Sequence, residues 1–182
     1  MTDPDAAPAP DAAPAPSPAP DVADFRAAMG RYATGVVVVT TVHDGLDHAM
    51  TANSFTSVSL DPMLALVCVE RASRFHAAIL GGGSWGVSVL AEHQGGLARW
   101  LATPGRALAG QLDGVPLRRG SSGVALLSEA LATVELSTVA VHPAGDHDIV
   151  LGEVIGLGEV NLQGVPLVYW SRRFGGLAVD PA

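Results

Sequence analysis

Two strand-like runs, the β-branched VVVVTT at 36–41 and the apolar LALVCV at 64–69, enclose the polar segment MTANSFTSVSL at 50–60, which carries five Ser/Thr hydroxyls and an Asn amide. Runs of that kind are strand material. A stretch this polar between two core strands must find hydrogen-bond partners. Neighbouring strand edges supply some of them. The rest come either from solvent around an ordinary Ser/Thr-rich loop, or from a ligand rich in carbonyls, ring nitrogens and phosphate oxygens.

The same pattern continues along the chain. Trp85–Leu90, Val124–Leu127, Ala132–Val141, Ile149–Gly156 and Leu167–Trp170 read as further strands, and His43-Asp44-Gly45 as a turn. Ala132–Val141 and Asp148–Gly156 flank His142-Pro143-Ala144-Gly145-Asp146 and predict a hairpin. Helical signals are fewer. Val22, Phe25, Met29 and Tyr32 recur at helical spacing after Asp21 or Asp24 as N-cap. Ser73 caps a second helix running to Leu80 and stopped by Gly81-Gly82-Gly83, and Leu97–Ala102 makes a third, ended by Pro104-Gly105. Many short strands with a few short helices predict a mainly β fold, a β-barrel with peripheral helices. Residues 1–21 stand apart: seven Pro and seven Ala fall within 1–20, so this reads as a disordered tail preceding one domain over 22–182.

Composition narrows the chemistry. All ten basic residues are Arg, which removes a P-loop lysine, a pyridoxal-phosphate Schiff base and any lysine nucleophile. An anion here must be held by Arg, His, hydroxyls or backbone N–H groups. The net charge of −8 argues against nucleic acid as a partner. No apolar stretch approaches the roughly 18 residues of a membrane span, and no basic region precedes an apolar run at the N-terminus. A single cysteine, Cys68, excludes an internal disulfide framework and a Cys-based zinc site, and fits a reduced, cytoplasmic setting. His142 and His147 lack a third ligand, so no metal is expected. His43 and His48 read as surface residues and the three tryptophans as core.

Two short motifs offer sites. Ser73-Arg74 follows a strand and opens a helix, where free N–H groups, a hydroxyl and the guanidinium of Arg74 or Arg71 suit a phosphate; a capped helix with a solvated Arg is the alternative. Gly145-Asp146-His147-Asp148 places a histidine between two carboxylates beside a turn, either as a polar turn or as a residue that meets a ligand amide.

Taken together, FRAAMGRYATGVVVVTT (25–41), HAMTANSFTSVSLDP (48–62), LALVCVERASRFHAAI (64–79), WGVSVLAEHQ (85–94), GDHDIVLGEV (145–154) and PLVYWSRRFGGL (166–177) resemble the flavin reductase-like family, with its FMN-binding split β-barrel. The resemblance covers nearly everything after the tail. It implies that Thr51, Ala52, Asn53 and Ser54 line the flavin ring and ribityl chain, with Ser57 and Ser59 continuing the strip. It further implies that Ser73, Arg74 and His76 hold the flavin phosphate, that Thr34 lies close to the flavin, and that Arg173 and Phe174 lie near the dinucleotide. His147 is implied to position the nicotinamide. The chain departs from the family pattern at Ala49, usually Gly, at Met63, often a second Pro, and at Phe174, frequently Tyr; none of these removes an implied ligand.

The resemblance implies an NAD(P)H:flavin oxidoreductase that uses FMN or FAD with NADH or NADPH, forms a homodimer, and supplies reduced flavin to a separate monooxygenase. The same barrel also accommodates a flavin-binding module without turnover, or a deazaflavin-dependent oxidoreductase.

Overall fold

The computed structural model describes residues 19–177, so most of the Pro/Ala segment and the last five residues lie outside the described region. Helix α1 (Val22–Met29) is capped by Asp21, whose carboxylate accepts the Asp24 N–H at 2.7 Å. It ends before Tyr32, and none of its residues is buried. The strands follow: β1 (Thr34–Gly35), β2 (Val37–His43), β3 (Leu46–Ala52), β4 (Thr56–Leu60) and β5 (Met63–Glu70). Helix α2 (Arg74–Gly82) leads into β6 (Ser84–Val89), and a single 3-10 turn precedes α3 (Gly95–Ala102). The chain closes with β7 (Leu117–Arg119), β8 (Ala125–Leu127), β9 (Ala132–Ala144), β10 (His147–Leu157), β11 (Leu167–Trp170) and β12 (Arg173–Gly176).

Seven strands form one sheet in the order β3-β2-β6-β9-β10-β5-β4. Its two edge strands, β3 and β4, are consecutive in the chain. Laid flat, the sheet would hold them about 29 Å apart. Yet only Asn53, Ser54 and Phe55 separate Ala52 from Thr56, a reach of at most about 14 Å. The sheet therefore curls until its edges nearly meet, which makes a barrel that is split between β3 and β4. The expected fold is present, and the segment 50–60 is the pair of strand ends bordering the split rather than a loop.

Two apolar clusters support this shape, and β2 belongs to both. Val37 and Val39 point into one with Val67, Val69, Trp85 and Leu136, while Val36 and Val38 point into the other with Leu90, Leu101 and Leu127. Alternation along a strand sends neighbours to opposite faces, and both faces are buried here. That is why the run is continuously apolar. Trp85 is fully buried, but Trp100 and Trp170 are each 46 % exposed, against the expectation of three core tryptophans.

Turn chemistry sets the hairpins. Asp44-Gly45 joins β2 to β3 with φ of +50° and +73°, the pattern of a type I′ turn. The β9–β10 connection is tighter than the expected five-residue loop. Only Gly145, at φ +69°, and Asp146 lie between the strands, so His147 opens β10.

Candidate functional site

Antiparallel register places His147 opposite Glu70, at the end of β5 where the chain turns into α2. The turn is tied down from both sides. Arg71 N–H donates to the Asp146 carbonyl at 3.0 Å, and the Arg71 guanidinium gives Nε and Nη2 to Asp148 Oδ1 at 2.8 and 2.6 Å. Arg71 is therefore committed to the protein, which leaves Arg74 as the cation of the pair. His147 itself is half-exposed, with Nδ1 2.7 Å from Asp146 Oδ1. The hydrogen bond to His147 holds the Asp146 carboxyl below the usual range.

A cleft of about 270 Å³ opens beside it, where β3 ends at the split. Its walls bring together Thr51, Ala52, Asn53, Ser54, Ser73 and His147, six of the residues implied by the sequence. Two of the hydroxyls are already engaged. Thr51 Oγ1 donates to the Ala98 carbonyl at 2.8 Å, joining β3 to α3. Ser54 Oγ donates to the Cys68 carbonyl at 3.1 Å and accepts the Cys68 N–H at 3.2 Å, completing the backbone pattern of β5 where β4 breaks off. These hydroxyls satisfy strand edges and shape the wall. Among the described residues the exposed Asn53 amide has no hydrogen-bond partner, so it is free to meet a ligand. Cys68 also lines the cleft, and burial pushes its thiol pKa up, which disfavours the thiolate.

A second cleft of about 480 Å³ continues past Ser73 and shares Met50, Thr51, Glu70 and Ser73 with the first. Ser73 stands at the N-cap of α2 but does not cap it through its side chain; Oγ donates back to the Glu70 carbonyl at 2.7 Å. Arg74 lines this cleft and gives Nη1 to the Arg106 carbonyl at 2.8 Å. Arg106, Gln111 and His48 also line it. Sequence reasoning missed the first two, and it took the buried His48 for a surface residue. No local motif marks them: Arg106 and Gln111 lie in the irregular stretch after α3 and reach the site only through the fold. Burial, then the charges of His43 and Arg74, lower the pKa of His48.

The remaining implied residues lie elsewhere. His76 gives Nε2 to Asp148 Oδ2 at 2.7 Å and lines neither cleft. Ser57 and Ser59 sit on the edge strand β4, outside both linings, where Ser59 Oγ accepts the Asp61 N–H at 3.3 Å. Arg173 and Phe174 line a third cleft of about 320 Å³ together with Trp170. Thr34 pairs with Tyr169 across β1 and β11, and its Oγ1 is buried with no partner.

The donor set suits a tricyclic flavin with a phosphate tail: an uncharged amide at the split, backbone at a strand end, and guanidinium groups one step away. Comparison with known proteins agrees. The model of the family described as flavin reductase like domain matches residues 29–178. A curated relative named actinorhodin polyketide dimerase, from Streptomyces coelicolor, is 42 % identical over 159 residues, 86 % of this chain and 87 % of the relative. The structure of BorF, the flavin reductase component of a bacterial two-component tryptophan halogenase, superimposes with a TM-score of 0.82 at 42 % identity, over 88 % of this chain and all of BorF. The NADH:FAD oxidoreductase SgcE6 of Streptomyces globisporus C-1027, solved with NAD and FAD fragments, gives 0.82 at 35 % identity over 89 % of this chain and 96 % of SgcE6. The sequence motifs, the split barrel and the family match converge: this chain belongs to the flavin reductase like domain family.

Proposed function

We propose that this protein is an NAD(P)H-dependent flavin reductase whose site is the pair of joined clefts at the barrel split. The observation that carries this reading is the β5–β10 register, which sets His147 across from Glu70 and so beside the wall formed by Thr51, Ala52, Asn53 and Ser54. A flavin held there would supply the redox chemistry, as acceptor of a hydride from a reduced nicotinamide.

The chain's own residues bind and orient. Asn53 and the strand-end backbone meet the polar edge of the ring, and preorganised donors of this kind favour the charge that develops there. Ser73 and Arg74 hold the phosphate, with Arg74 the planar two-pronged cation. His147, oriented by Asp146, positions the nicotinamide carboxamide. Arg173 and Phe174 contact the dinucleotide from the third cleft. No proton transfer by a strong acid or base is needed; what the site contributes is proximity and alignment.

The partner is a separate flavin-dependent monooxygenase that takes up the reduced product. BorF plays the corresponding part in a two-component halogenase, which supports this assignment. The working assembly is a homodimer. Its support is α1, where Val22, Phe25 and Met29 are all exposed on a helix that its own barrel leaves uncovered, with Tyr32 exposed just beyond its end. No helix among the described residues is long and apolar enough to cross a membrane. A cytoplasmic location follows from the need for reduced nicotinamide.

The test is steady-state oxidation of NADH and NADPH by the purified chain with catalytic FMN or FAD. Turnover well above the uncatalysed rate is expected. Tight flavin binding with no turnover under any pairing would make the protein a flavin-binding module instead.

A further inference from the structure

Arg71 lines neither the larger nor the smaller cleft, yet it grips the chain on both sides of His147. Its backbone N–H donates to the Asp146 carbonyl at 3.0 Å, and its Nε and Nη2 both donate to Asp148 Oδ1, at 2.8 and 2.6 Å. Alternation along β10 sends the side chains of His147 and Asp148 to opposite faces. His147 reaches the smaller cleft, while Asp148 stands opposite the buried Val69 and is itself only 7 % exposed. The guanidinium therefore works from the back of the strand rather than from the cleft wall.

His147 needs such a hold. It opens β10 directly after the two-residue turn Gly145-Asp146, with Gly145 at φ +69°. Its own side-chain partner is the highly exposed carboxylate of Asp146, and a surface pair of that kind fixes a ring only weakly. The placement of the ring is left to the backbone beneath it. There the planar guanidinium, giving two charge-assisted bonds to one buried carboxylate, is a far stiffer anchor. Removing it would not release the helix side of the site. His76 holds the other oxygen of Asp148 at 2.7 Å, and Ser73 and Arg74 are bonded to the carbonyls of Glu70 and Arg106.

We propose that Arg71 is a positioning residue for the reduced nicotinamide: by fixing the backbone at residues 146 and 148, it holds the His147 ring in the wall of the smaller cleft where the carboxamide must be met. The proposal rests on the flavin reductase reading above. It gives Arg71 a role separate from that of Arg74, acting on the nicotinamide through His147 and leaving the flavin phosphate to α2. A displacement of about 1 Å at an oriented contact is enough to weaken alignment severely.

Steady-state kinetics of the full chain test it in the wild type, Arg71→Ala, His147→Ala and the double variant, with flavin dissociation constants read by fluorescence quenching. Alanine removes the guanidinium and keeps the backbone N–H that meets Asp146. Arg71→Ala should raise the KM for NADH about fivefold and change the flavin constant by less than about twofold. In the His147→Ala background the same substitution should add less than about twofold, because no ring is left to position. A general weakening of the fold would instead raise the flavin constant and persist in the double variant. An unchanged KM in Arg71→Ala, an equal loss of flavin affinity, or the full effect in the double variant would overturn the proposal while the reductase reading stands. A wild type that turns over neither flavin with either nicotinamide would remove both. If Arg71→Ala does not fold, Arg71→Lys takes its place. One ammonium in place of the two-bond fork should raise the KM about two- to threefold, again only where His147 is present. No rise in Arg71→Lys, or a rise that survives the loss of His147, would overturn the assignment.

Discussion

Asp148 and His76 meet at 2.7 Å, Oδ2 to Nε2, and this contact joins β10 to α2. The other oxygen of Asp148 takes both Arg71 bonds. One buried carboxylate thus holds the hairpin that presents His147 against the helix that presents Arg74. With Asp148 ionised its oxygens accept, so Nε2 of His76 carries the proton.

The Arg71 bonds first, and the His76 bond second, hold the Asp148 carboxyl below the usual carboxylate range. A carboxylate with a depressed folded-state pKa stabilises the fold fully above its unfolded value, about 3.9, and that contribution is lost as pH falls through the folded value. Urea unfolding of the wild type and Asp148→Asn should therefore show a stability gap at pH 7 that closes on acidification below about 4. A gap that stays constant across this range would mean that the charge of Asp148 is not what joins the two elements.

Ser54→Ala tests whether the hydroxyl strip is partly structural. The substitution strips both the donor and the acceptor that Cys68 backbone uses on β5. Leaving those groups unpaired in a part-buried strand should cost about 1–3 kcal/mol, measurable by urea denaturation. A change below about 0.5 kcal/mol would assign Ser54 to ligand binding alone.

Much of this was legible beforehand. Strand runs with period-2 or continuous apolarity marked β2, β5, β6, β9 and β10, because burial on one or both faces writes itself directly into the sequence. The strand β3 (Leu46–Ala52) was not visible, since its Asp47, His48 and Thr51 give no apolar alternation; its pairing to β2 carries it. The candidate cleft was legible where contiguous motifs line it, as at Thr51–Ser54, and where a turn motif presents a side chain to it, as at His147. It was illegible where tertiary packing brings a residue to the cleft wall, as with Arg106 and Gln111, and where it turns a side chain to another partner, as with His76 and Asp148. Hydroxyls are ambiguous by nature, because the same group serves a ligand or a strand edge.

Gly152 shows where the barrel tolerates no added atom. A Cβ there would come within 2.7 Å of Trp85 Cζ2 and 3.0 Å of Leu136 Cβ, at a register shift between β9 and β10. Trp85 is fully buried and has nowhere to go. Gly152→Ala should lower stability by about 1–3 kcal/mol, the usual scale of overpacking. An unchanged thermal midpoint would mean that the tryptophan shifts freely.

His147→Ala separates the two ligands. The ring lines the smaller cleft and leans on Asp146, while Arg74 and the larger cleft lie beyond Ser73. The KM for NADH should rise about tenfold, in line with loss of one oriented polar contact, with the flavin dissociation constant nearly unchanged. An equal loss for both would place His147 at the flavin rather than the nicotinamide.

The last prediction concerns α1. Phe25 is 64 % exposed and Tyr32 67 %, and no residue of the helix is buried. What anchors its end is a Ser171 N–H to Gly30 carbonyl bond of 2.9 Å and the Arg31 guanidinium 5.0 Å from the Trp170 ring. An eight-residue helix is too short to persist on its own propensity, so an apolar face left open to water needs a cover. In the proposed homodimer the second copy provides it, and a two-fold interface would place the same face of both copies in contact. Phe25→Glu puts a carboxylate where that contact would bury an aromatic ring, and an unpaired charge there is strongly unfavourable. The wild type should sediment as a dimer, and Phe25→Glu should shift it to monomer at micromolar concentration. A wild type that is monomeric at every concentration, or a variant that remains fully dimeric, would move the interface off this helix.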